Sequence, residues 1–96
     1  KYAVMAFTGV SGANYDIDNH LVIAWMKRLE EDHPYRMTGC GLDFIAGHFL
    51  NPVPDPDELA LRMFYFCPDI VEQGTNTIAA LSKTLKESAE LFFWWD

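Results

Sequence analysis

The stretch Asn51-Pro52-Val53-Pro54-Asp55-Pro56-Asp57 places three prolines in five positions. Proline locks its own φ, has no amide hydrogen to donate, and biases the residue before it toward extended backbone. Helix and central strand are therefore excluded there, and the stretch reads as a stiff loop with a defined path rather than a floppy linker. The regular structure must lie on either side of it.

Upstream, residues 2–10 are apolar on both alternating faces, which predicts a strand covered on both sides. Ser11-Gly12-Ala13-Asn14 breaks it. Asp18 or Asn19 then caps a helix of about four turns, with Leu21, Val22, Trp25, Met26 and Leu29 on its apolar face and Pro34 at its end. Residues 39–47 read as a short strand between glycines. Downstream, Leu59 to Phe66 is short, aromatic-rich and followed by Pro68, which predicts another strand. Asp69 and Glu72 have the spacing of a capping box. From Val71 through Gly74, Ile78, Leu81, Leu85, Ala89 and Phe92, a single apolar stripe predicts one long helix, with Gly74 letting it approach a sheet. The expected architecture is α/β, an α+β two-layer domain in the order strand–helix–strand–strand–helix, with two helices on a small sheet. A chain of 96 residues fits one domain over 1–96.

Composition narrows the function. Fourteen acidic residues against seven basic ones give a net charge of −7. No basic cluster offsets it, so nucleic-acid binding is not expected. No apolar run approaches the roughly 18 residues a membrane span needs, and no targeting signal opens the chain. The first residue is Lys1 rather than Met, and a true start upstream is expected. A cytoplasmic setting is expected, with Cys40 and Cys67 as buried thiols, since no zinc or redox spacing joins them. Aromatic residues make up 15%, more than one small core needs, and this predicts rings on a surface that meets another domain or chain. The closing Phe92-Phe93-Trp94-Trp95 is too short to anchor in a membrane and too apolar to sit in water.

Candidate sites are few. Asn14, Asp16, Asp18 and His20 alternate as in a calcium loop, but neither frame places an acid at its last ligand position, so a turn and helix cap is expected. His20, His33 and His48 are scattered, without metal-binding spacing. Ser82 to Lys86 reads as the solvated side of a helix. No nucleophile elbow or phosphate loop is present. Arg62 stands out as a lone cation in an apolar run. Its planar fork suits a substrate carboxylate, or it reaches water or a local acid such as Asp57 or Glu58. The sequence leaves both open.

Gly47-His48-Phe49-Leu50, the proline-rich loop, Leu61-Arg62-Met63-Phe64-Tyr65-Phe66 and Asp69-Ile70-Val71-Glu72-Gln73-Gly74 together resemble the C-terminal small domain of fold-type-I, pyridoxal-phosphate-dependent aminotransferases, closest to the valine–pyruvate branch. The match covers residues 45–88, and residues 2–46 agree in element order and length. The resemblance implies that Arg62 binds the substrate α-carboxylate of an amino acid or 2-oxo acid, with Gly47 and His48 near the active-site mouth. Pyridoxal phosphate itself, its Schiff-base lysine and its phosphate site belong to that family's large domain, to which no part of this chain corresponds. The segment alone is thus expected to bind no cofactor and not to transaminate. The alternative expectation is an acidic, non-enzymatic interaction or regulatory module with a ferredoxin-like fold and a protein partner. A third is a sensor of small acids.

Overall fold

The computed structural model describes residues 1–12 and 17–95. In chain order the elements are α1 (Tyr2–Thr8), α2 (Asn19–Asp32), β1 (Tyr35–Cys40), β2 (Phe44–Phe49), α3 (Pro56–Phe66), a π-helical turn (Val71–Thr75), α4 (Ile78–Ser88) and β3 (Glu90–Trp94). The three strands pair antiparallel in the order β1-β2-β3. The class is α+β, as expected; the strand expected over 39–47 is the end of β1 and most of β2 joined by a turn at 41–43, while the two other expected strands are helices.

Residues 2–8 form a helix, not a strand. Only Met5 on it is buried, and Gly9 ends it in the left-handed region at φ 71°, its N–H returning to Met5 O. Such a glycine terminator is a helix signal that the apolar run masks, because a short run of this kind fits strand and helix equally. The turn that follows is described only at Ser11, Gly12, Ile17 and Asp18. The candidate ligands Asn14 and Asp16 lie outside the described residues. Asp18 caps α2 as predicted, accepting from Leu21 N at 2.9 Å.

Residues 59–66 are also helical. Asp55 accepts from Glu58 N at 3.2 Å, Pro56 occupies the first turn, and Asp57 and Glu58 add acidic groups there. Each favours a helix start: the cap satisfies a free donor, proline fixes a helical φ where no donor is needed, and the acids oppose the positive end of the dipole. The last proline of the stiff loop is thus a helix starter. Leu59, Ala60, Met63 and Phe66 are buried, a helical spacing that overrides the strand preference of the aromatics.

The long downstream helix is interrupted. The π-helical turn ends at Thr75, Asn76 adopts φ 73°, and α4 restarts with Thr77 accepting from Ala80 N at 3.0 Å. Ala89, at φ 55°, turns the chain out of α4 into β3. Gly74 is exposed, and a Cβ there would meet nothing closer than Asp69 O at 3.8 Å, so it does not serve a close helix–sheet approach. The arrangement also differs from the β-α-β-β-α-β order of a ferredoxin-like fold.

Burial alternates along β2 and β3, so the sheet has one covered and one open face. Tyr35, Ile45, Phe49, Leu91 and Phe93 meet the core built from Met5, Val22, Met26, Leu29, Leu59, Met63 and Leu85. Trp25 of α2 stacks on Phe66 of α3 at 4.2 Å, and both meet the edge of Phe93 at 5.2 and 5.3 Å. Aromatic pairs of this geometry add about 0.5–1.5 kcal/mol each beyond their area. They fasten the two helices to β3.

Candidate functional site

The open face is ordered in rows set by the strand register. One row is Arg36, His48 and Glu90; the next is Gly39, Ala46 and Phe92; the last pairs Phe44 with Trp94. Polar groups thus occupy one end and rings the other. The glycines of and after β1 make room for the rings. A Cβ on Gly41 would run into the Phe44 ring, and one on Gly39 would touch it at 3.5 Å. Phe44 therefore lies down over β1, and it stacks with Phe92 at 6.3 Å between centroids and 18° between planes. Phe92 remains 50% exposed.

Beside this platform a cleft of about 210 Å³ runs between β3 on one side and the π-helical turn and α4 on the other. Buried Met63, Ile70 and Leu81 line it, and Phe92 and Trp94 belong to both cleft and platform. Exposed Thr84 and Glu90 also border it. β3 is an edge strand. Phe49 N donates to Ala89 O and Trp95 N to Asp43 O, a parity that turns the backbone of Glu90, Phe92 and Trp94 away from β2. Cys67 Sγ donates to Trp94 O at 3.0 Å, closing one end of that edge.

The residues singled out in the sequence do not converge. Arg62 sits on α3, not on a strand, with its Nη1 at 3.4 Å from Asp32 Oδ2, its Nε at 3.8 Å from Glu58 Oε1, and its guanidinium 6.0 Å above the Trp25 ring. The fork faces the local acid Glu58 and, from α2, Asp32, and so joins α3 to α2. Gly47 lies at the sheet centre, where a Cβ would stand 2.5 Å from Arg36 O. Its presence is explained by strand packing. His48 is exposed on the open face between Arg36 and Glu90, so it is the one predicted residue that borders the site.

Other polar groups are structural. Ser82 is buried and donates to Asp57 at 2.5 Å, tying α4 to the start of α3; it does not lie on a solvated side. Tyr2 donates to Glu30 at 2.6 Å, Tyr35 donates to Tyr2 at 3.4 Å, and Lys1 bonds both Glu30 and Tyr35 O, clamping α1 to α2 and β1. Burial, then the hydrogen bond it donates to Glu30, hold the Tyr2 phenol far above its ordinary value, while hydrogen bonds from Lys1 and Tyr2 lower Glu30. Cys40 and Cys67 are free thiols. Burial pushes Cys67 up to about 12, so it carries no thiolate near neutral pH.

Among the described residues no group of three or more His, Cys, Asp or Glu is placed to hold a metal, and no helix is long and apolar enough to cross a membrane. The missed surface had a signal: in Phe92-Phe93-Trp94-Trp95, period-two alternation sends every second ring outward.

No curated protein and no solved structure matches the chain. The family model of a domain of unknown function, DUF4253, matches residues 1–96, and the chain belongs to that family.

Proposed function

We propose that this domain is a non-enzymatic protein-interaction module whose contact surface is the open face of the sheet. The observation that carries this reading is the stacked pair Phe44 and Phe92, held in the open beside an apolar cleft of about 210 Å³. Rings of this kind are the anchors of protein interfaces, where burying one removes a large apolar area from water. The polar row Arg36–His48–Glu90 supplies a rim that sets orientation. The acidic net charge of −7 favours a basic partner through steering. A cytoplasmic setting belongs to the same reading, supported by two free thiols in one small chain. A substrate-carboxylate role for Arg62, by contrast, has to compete with its ion pairs to Asp32 and Glu58.

The test is selection from a random peptide display library on the immobilised domain. Enriched peptides are expected to bind with an affinity that falls at least about tenfold, or 1.4 kcal/mol, in Phe44→Ala and Phe92→Ala. A library that enriches nothing, or only ligands indifferent to both substitutions, ends the reading.

A further inference from the structure

The cleft is chemically graded from floor to mouth. Met63, Ile70 and Leu81 are buried in it, whereas Thr84 and Glu90 are exposed at its border. Glu90 is the one ionisable side chain among the described residues that line it. A cavity of about 150 Å³ is enough for a benzene ring, so a cleft of about 210 Å³ has room for one aromatic or branched aliphatic side chain. A lysine or arginine entering tip first would bring its charge onto a floor whose described lining residues, Met63, Ile70 and Leu81, are apolar, at a high desolvation cost. The cation belongs at the mouth and the apolar group inside.

Resting on the interaction-module reading, we infer that the cleft takes an apolar anchor side chain from an extended segment of a partner protein, with a lysine or arginine of that segment meeting Glu90. Two observations favour this occupant. The charge is complementary, both locally at Glu90 and over a chain with fourteen acidic residues against seven basic. The backbone of Phe92, at the free edge of the sheet, faces away from β2, and such an edge suits an extended segment that offers its own backbone groups.

The experiment uses acetylated, amidated hexapeptides with a central leucine or phenylalanine flanked by lysines, and twins with glutamate in place of each lysine. Binding is read from the backbone amide shifts of Leu81, Thr84, Glu90 and Phe92. The lysine peptides are expected to saturate these shifts and to bind at least about tenfold tighter than their twins. Glu90→Gln is expected to cut that preference by roughly two- to fivefold. Thr84→Trp, at an exposed position of α4, is expected to abolish binding by blocking the mouth while circular dichroism stays unchanged. Equal binding of the twins, shifts confined to Phe44 and Ala46, or binding that survives Thr84→Trp would overturn the cleft inference and leave the open-face reading standing. Failure of the lysine peptides while library-selected peptides bind has the same meaning. Free isopentylamine saturating the same amides as tightly as a peptide would make a small amine the occupant and overturn the partner segment.

Discussion

Phe92 and Phe93 are neighbours in one strand, yet they occupy opposite environments. Phe93 is fully buried against Trp25, Phe66 and Trp95, and Phe92 is half exposed, stacked on Phe44 and bordering the cleft. The same alternation separates Trp95, 4% exposed, from Trp94. Chemistry does not distinguish the residues of this run; strand parity does. The inner set holds three elements together. The outer set lines the open face and the cleft, and among the described residues no ring pair ties it to a helix. That contrast gives the open face its functional weight.

The sharpest way to break the comparison is Phe93→Ala. Truncating a fully buried ring that touches α2, α3 and the core end of β3 is expected to cost about 3–5 kcal/mol, a large part of what a small domain has. Urea unfolding followed by circular dichroism measures it. A loss below about 1 kcal/mol would mean that the inner aromatic cluster does not hold the helices to the sheet.

A second effect separates the faces by pH. Tyr35, 1% exposed on the covered face, is pushed up to about 12 by burial. Its folded value lies above the unfolded value of 10, so the folded state holds the proton more tightly. That stabilisation is complete below pH 10 and is lost as pH rises through the folded value near 12. The expected loss is roughly 2–3 kcal/mol, read as a fall in the urea midpoint. Tyr35→Phe should remove this part of the alkaline loss; an identical alkaline slope in the variant would refute the assignment.

How far the sequence disclosed this arrangement depends on which force decides each segment. The cap at Asp18 and the stop at Pro34 are local, and they are where they were expected. The helix at Pro56–Phe66 was also written locally, in Asp55, Pro56 and the acids after it, but its aromatic-rich interior suggested a strand. There, capping and a spacing of buried residues at 59, 63 and 66 outweigh β-propensity. Residues 71–92 carry a sustained helical stripe, and nothing in that stripe marks the change at Ala89, where packing against β2 takes the last rings. The site was legible only in part. The excess of aromatics pointed to an exposed ring surface, and His48 borders it. Arg62 drew notice as a lone cation because the two acids it meets are invisible as neighbours: Glu58 lies one helical turn away only once the helix is known, and Asp32 lies on another element.

Arg62→Ala tests that difference directly. Its partners are substantially exposed, at 41% for Asp32 and 52% for Glu58. The expected loss is therefore about 1 kcal/mol or less, in line with a tie between α2 and α3. Addition of 2-oxo acids or amino acids is expected to leave the melting temperature unchanged. A stabilisation by such acids that disappears in Arg62→Ala would support the carboxylate fork and the aminotransferase resemblance with it.

The smallest expected change, Phe92→Ala, is the most informative about the open face. The ring is half in water already, and among the described residues its stacking partner is Phe44 at 6.3 Å. Removing it deletes an edge of the platform and creates no enclosed cavity, so stability is expected to fall by less than about 1 kcal/mol. The same truncation one position further along the strand is expected to cost several times more. If Phe92→Ala unfolds the domain as readily as Phe93→Ala does, the outer rings are structural and the surface has no need of a partner. If stability is kept while peptide binding falls, the rings are displayed for contact, because a side chain that contributes little to its own fold and much to an interface is held there for what it meets.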